Sequence, residues 1–150
     1  MATGVESAIV TTAAPAIRPR ALPLVAVLVG GMLGTALRFG IDLAIPHAVD
    51  AFPLSTLVVN VLGALALGLL VANVWPTASD WLKAGLGAGL LGSFTTFSAL
   101  AVSVVAISGT GDPTLAIGYL AADLGLGLGA ALLGLRLGNR GTPPVDLENE

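Results

Sequence analysis

Four apolar runs, each long enough to cross a bilayer, constrain this chain more than any other feature. They fall at about residues 21–43, 54–75, 81–107 and 114–137. An α-helix rises about 1.5 Å per residue, so roughly 20 residues cross a hydrocarbon core of about 30 Å. Only 10% of the residues are charged, against about 25% in an ordinary soluble domain, and the mean hydropathy is +0.95. Inside a bilayer no water satisfies backbone amides, so each run must satisfy its own. The expected fold is an all-α membrane protein with four transmembrane helices. Residues 1–20 lack a basic leader and are expected to form an N-terminal tail. Residues 138–150, with two prolines and three acids, are expected to form a disordered C-terminal tail.

The third run differs from the others. Residues Gly85 to Leu100 read GLGAGLLGSFTTFSAL. Positions 92–98 hold a glycine, four hydroxyls and two aromatics, a mixture that a plain lipid-facing helix does not need. Glycine weakens the helix, and Ser/Thr hydroxyls re-satisfy backbone groups that a break sets free. The third helix is therefore expected to break near its centre. A break at that depth survives where it is buried in protein or lines water, and such breaks expose carbonyls and half-helix ends that bind ions.

The other runs carry few polar groups. In the first, Gly30 and Gly34 form a small-xxx-small pair for close helix approach. Arg38 stands near its end, either snorkelling beside Asp42 or drawing anions to an aqueous mouth. In the second, Asn60 either bonds a neighbouring helix or lines a pore. Trp75 and Trp81 fit an interfacial belt. The single His47 lies in a proline-bounded loop and reads as solvated. In the fourth, Tyr119 and Asp123 share a face, with Asp123 far from any other charge.

Charge placement predicts one orientation. Arg18, Arg20, Lys83, Arg136 and Arg140 fall at one side of the four runs, and only Arg38 nears the other. By the positive-inside rule both termini are expected in the cytoplasm, in the cell membrane.

No cysteine is present, and no nucleotide loop, nucleophile–base pair or metal-ligand cluster can be read from the sequence. That pattern points away from an enzyme and towards a conduit. Asn60, Thr95, Thr96, Ser98 and Tyr119 donate hydrogen bonds without being cations, and Phe97 offers positive ring edges. Such groups replace part of a small anion's hydration shell without trapping it.

Three ordered stretches then resemble the CrcB/Fluc family of fluoride channels. They are Gly30-Gly31-xx-Gly34-xxx-Arg38-Phe39, Thr56-Leu57-x-Val59-Asn60-xx-Gly63 and Gly92-xx-Thr95-Thr96-Phe97-Ser98. The resemblance covers residues 21–137. It implies passive, fluoride-specific export that lowers fluoride toxicity, through an antiparallel dimer with pores along the subunit interface. It also implies a structural sodium ion held by the backbone carbonyls of Gly92 and Thr95. By the same resemblance Asn60, Thr96, Phe97, Ser98 and Tyr119 line the fluoride pore, and Arg38 belongs to the vestibule.

Two positions depart from the family pattern. Leu100 stands where a second pore phenylalanine is expected, and Asp123 where a serine is usual. An ionised carboxylate facing the pore would repel fluoride. Together with the strong orientation bias, these departures suggest one subunit of a heterodimer, paired with a related chain of opposite orientation, the alternative partner being an inverted copy of itself. The competing readings are a small four-helix drug or cation exporter and a non-conducting membrane assembly subunit.

Overall fold

The structure, a computed structural model, describes residues 21–46 and 52–139. Four helical spans long and apolar enough to cross a membrane run Ala21–Ala44, Leu54–Asn73, Asp80–Gly109 and Pro113–Gly138. Each helix begins and ends within two residues of an apolar run of the sequence, and the described residues contain no strand. The expected N-terminal tail, residues 140–150 of the expected C-terminal tail (138–150), and His47 lie outside the described residues. Gly138, assigned by sequence to the C-terminal tail, is the last residue of the fourth helix.

We label the first span α1 (Ala21–Ala44) and the second α2 (Leu54–Asn73). The third is two helices. Its first half, α3 (80–94), starts as an α-turn (Asp80–Lys83), widens into π-type turns over Ala84–Leu91 and closes at Gly92–Phe94. Thr95 (φ −77°, ψ 156°) and Thr96 (φ −150°, ψ 116°) are extended and break the helix. The second half, α4, is Phe97–Gly109. The break therefore falls on two β-branched residues, which favour extended backbone, and Gly92 itself remains helical. The fourth span is α5 (Pro113–Gly138), with Pro113 in its first turn and the Asp112 side chain accepting from the Leu115 N–H at 3.0 Å.

Two tight helix pairs build the protomer, α1 on α3 and α2 on α5. Both rest on glycine. A Cβ on Gly30 would strike the Gly85 carbonyl, and one on Gly34 the Leu90 carbonyl. The expected small-xxx-small contact of the first span is thus present, and its partner is α3. On the other pair, a Cβ on Gly68 would strike the Ala131 carbonyl, and one on Gly134 the Leu65 carbonyl. Close backbone approach of this kind supplies the van der Waals contact that holds helices together in lipid.

The buried core is small. Leu100, Ile107, Ala116 and Tyr119 cluster between α4 and α5, with Leu57 and Val104 packed against them. Most other large apolar side chains face outward, among them Met32, Phe39, Val105 and Ile117. In water such a surface would be unstable, whereas in a bilayer it meets lipid or another subunit.

Candidate functional site at the helix break

The break leaves backbone groups without helical partners, and α2 supplies replacements. The Thr96 N–H, which in a continuous helix would bond the Gly92 carbonyl, donates instead to Asn60 Oδ1 at 2.9 Å. Asn60 Nδ2 donates back to the Thr96 carbonyl at 3.2 Å. One side-chain amide therefore pairs with both backbone groups of one extended residue, much as a neighbouring strand would. Gly63, one turn further along α2, leaves the space beside it: a Cβ there would collide with the Thr95 methyl group and press on the Phe94 ring. The order Asn60-xx-Gly63 thus has a mechanical meaning, one residue holding the break and the other making room for it.

The hydroxyls of the break complete the arrangement. Thr95 Oγ1 donates to the Leu91 carbonyl at 2.8 Å and closes the end of α3. Thr96 Oγ1 accepts from the Ala99 N–H at 3.1 Å and caps α4. It also lies 3.1 Å from Ser98 Oγ. Phe97 and Ser98 occupy the first turn of α4, at the positive end of its dipole. Phe97 is 75% exposed and points away from the protomer.

A cleft of about 300 Å³ opens on this face, lined by Asn60, Thr95, Thr96, Phe97, Leu100 and Asp123 among others. On the far side of Thr96 lies a cavity of about 50 Å³, whose lining includes Arg38, Asp42, Thr56 and Thr96. Thr96 lines both, so it stands between the Arg38 mouth and the Asn60 cleft. Of the expected pore residues, Asn60, Thr96 and Phe97 line this cleft, and Ser98 joins them through its contact with Thr96 Oγ1. Tyr119 does not line this cleft. It is 1% exposed, packed edge-on against Phe52 (centroids 5.2 Å, 88°). Its hydroxyl lies beside Thr56 and Ser103 but closes a full hydrogen bond with neither. Leu100, at the position of the expected second ring, is 2% exposed and belongs to the same core.

One partnership was not read from the sequence. Asp123, only 5% exposed, receives the Asn60 amide on both carboxyl oxygens, at 3.2 Å to Oδ1 and 3.1 Å to Oδ2. The only sequence signal was an acid at membrane depth, which requires a partner without naming it.

The implied sodium ligands can be tested on the same geometry. The Gly92 carbonyl has lost the Thr96 N–H to Asn60. The Thr95 carbonyl has lost the Ala99 N–H to Thr96 Oγ1. Both oxygens are thus freed from helical bonding, as a hard-cation site built from unwound backbone requires. No cluster of three or more His, Cys, Asp or Glu is present among the described residues. Gly92 and Thr95 fit a backbone-carbonyl cation site.

Four spans, a broken third helix stapled by an asparagine, and an uncharged donor set at the break define a polytopic membrane protein of the small ion-channel class. Sequence comparison agrees. The family described as "CrcB-like protein, Camphor Resistance (CrcB)" matches residues 25–135. The protein named "Fluoride-specific ion channel FluC" of Paracoccus denitrificans is 39% identical, over 75% of this chain and 90% of its own length. A protein of the same name from Thermus thermophilus is 40% identical, over 75% and 91%. "Fluoride-specific ion channel FluC 2" of Halalkalibacterium halodurans is 38% identical, over 78% and 86%. The chain belongs to the CrcB family.

Proposed function

We propose that this chain is a subunit of a fluoride-specific channel that exports fluoride passively across the cell membrane. The observation that carries the reading is the uncharged donor set at the break, with the exposed Phe97 at its edge and no mid-membrane Lys or Arg beside it. Neutral donors and ring edges compensate the lost hydration of a small anion and still release it. Asn60, Thr96, Phe97 and Ser98 line the route. Tyr119 joins it through its unpaired hydroxyl, and Arg38 draws anions to the vestibule. The names of the relatives support the same ion.

The functional unit in this reading is an antiparallel dimer. The outward-facing Phe97 and the open cleft beside it are completed by a second subunit, a related chain inserted the other way. The freed carbonyls of Gly92 and Thr95, doubled by the second break, hold a structural sodium ion. Its chemistry is to neutralise carbonyl dipoles and fix the two breaks together. Both termini lie in the cytoplasm, which places Lys83 and Arg136 on the cytoplasmic side.

The test is fluoride efflux from proteoliposomes, read with a fluoride electrode, against chloride efflux from the same preparation. The reading expects fluoride efflux without chloride efflux when the chain is reconstituted with a co-expressed related chain. Equal passage of chloride, or no fluoride passage, would overturn it. Robust efflux by the chain alone would remove the need for a different partner.

A further inference from the structure

The Asn60 amide carries two N–H groups, and both are committed. One serves the Thr96 carbonyl at 3.2 Å. The other is shared by the two carboxyl oxygens of Asp123 at 3.1 and 3.2 Å. Its oxygen is committed too, to the Thr96 N–H. A primary amide has no further proton to offer. The Thr96 bonds are needed wherever the break exists, because a buried, unpaired backbone group is costly in lipid. The Asp123 bond is different in kind. It satisfies no backbone group, and it places an acceptor at the one Asn60 N–H that an anion in the cleft would otherwise reach.

From this donor count we infer that Asp123 is a tethered acceptor that occupies the anion-facing N–H of Asn60 and closes this chain's own fluoride route at that point. The inference rests on the fluoride reading above. It assigns Asp123 a positioning role, acting through Asn60 rather than by contact with a permeating ion. Three observations converge on it. Asp123 is 5% exposed although it sits at membrane depth. It shares the lining of the Asn60 cleft. Both of its oxygens lie within hydrogen-bond reach of the same Asn60 nitrogen. The route that conducts is then one in which the partner supplies the asparagine.

Three variants separate occupancy from charge. Asp123→Ala removes both the acceptor and the carboxyl charge and frees the Asn60 N–H. Asp123→Ser does the same with a hydroxyl too short to reach it. Asp123→Asn removes the charge but keeps an oxygen acceptor within reach. The full chain is reconstituted with its co-expressed related chain, and fluoride efflux per dimer is measured. The inference expects efflux about twofold faster in Asp123→Ala and Asp123→Ser than in wild type, as a second route opens, with Asp123→Asn close to wild type. Equal gains in all three would assign the effect to charge repulsion and overturn the inference. No gain in Asp123→Ala or Asp123→Ser would overturn it as well.

A second measurement is independent of transport. In detergent-solubilised, ¹⁵N-asparagine-labelled protein, sodium fluoride is titrated against sodium chloride. The Asn60 side-chain resonances should respond to fluoride in Asp123→Ala and stay unmoved in wild type. A response in both, or in neither, sinks the inference. Efflux by the wild-type chain with its partner decides the fluoride reading separately: efflux there with no Asn60 response in any variant defeats the tethered acceptor alone.

Discussion

Asn60 holds Thr96 at both backbone groups, receiving its N–H at 2.9 Å and donating to its carbonyl at 3.2 Å across 36 residues of chain. Removing that amide strands two polar groups at membrane depth. Asn60→Ala should therefore destabilise the protomer by about 1–3 kcal/mol. Equilibrium unfolding in mixed micelles measures this. A loss below about 0.3 kcal/mol would show that the break holds itself. Asn60→Asp keeps an acceptor for the Thr96 N–H but loses the donor to the Thr96 carbonyl and sets a second carboxyl against Asp123, so the same unfolding measurement should again show a loss.

Phe97 separates stability from conduction. Its ring is 75% exposed, so Phe97→Ile removes little packing within the protomer. Stability should change by no more than about 0.5 kcal/mol, and the dimer should persist in gel filtration. Fluoride efflux should be abolished. Unaltered efflux from this variant would take Phe97 out of the pathway.

The glycine seams predict a steep contrast. Gly34→Ala drives a methyl group into the Leu90 carbonyl, and a backbone oxygen cannot step aside as a flexible side chain can. The cost should be about 1–3 kcal/mol or more. Gly109→Ala, with nothing within 4 Å of the added Cβ, should stay within about 0.5 kcal/mol of wild type. Thermal aggregation midpoints of the two variants side by side provide the check, and similar midpoints would refute the seam.

The sodium ion proposed at the freed carbonyls of Gly92 and Thr95 has a direct consequence. Replacing sodium by N-methylglucamine throughout should abolish fluoride efflux, and restoring sodium should return it. Efflux indifferent to this exchange would leave the two carbonyls to another partner.

Orientation can be read by labelling, because the chain has no cysteine of its own. In intact cells a membrane-impermeant maleimide should label Thr110→Cys and leave Asn139→Cys unlabelled. Comparable labelling at both positions would mean mixed insertion and would remove the orientation argument for a different partner chain.

What the sequence determined by itself was local or compositional. Span length and apolarity placed four helices, since a bilayer imposes one length on every crossing segment. Hydroxyls beside glycine placed the break within residues 92–98, because helix weakening and backbone rescue act over a few neighbours. Gly30 and Gly34 announced a seam for the same reason, one face of one helix. The motif order was legible enough to place the family.

The tertiary structure decided the partnerships. Asp123 and Asn60 are 63 residues apart, and no local rule joins them. The same holds for Gly63 against Thr95, and for Gly34 against the Leu90 carbonyl. Tyr119 and Leu100 pack together in the core where α4 meets α5, a contact that no local pattern announces. Phe97, three residues from Leu100 on the same helix, is 75% exposed at its first turn, whereas Leu100 is 2% exposed. An apolar sequence sets which segments enter the membrane. Hydrogen bonds between distant segments set what the break in the third span can offer an ion.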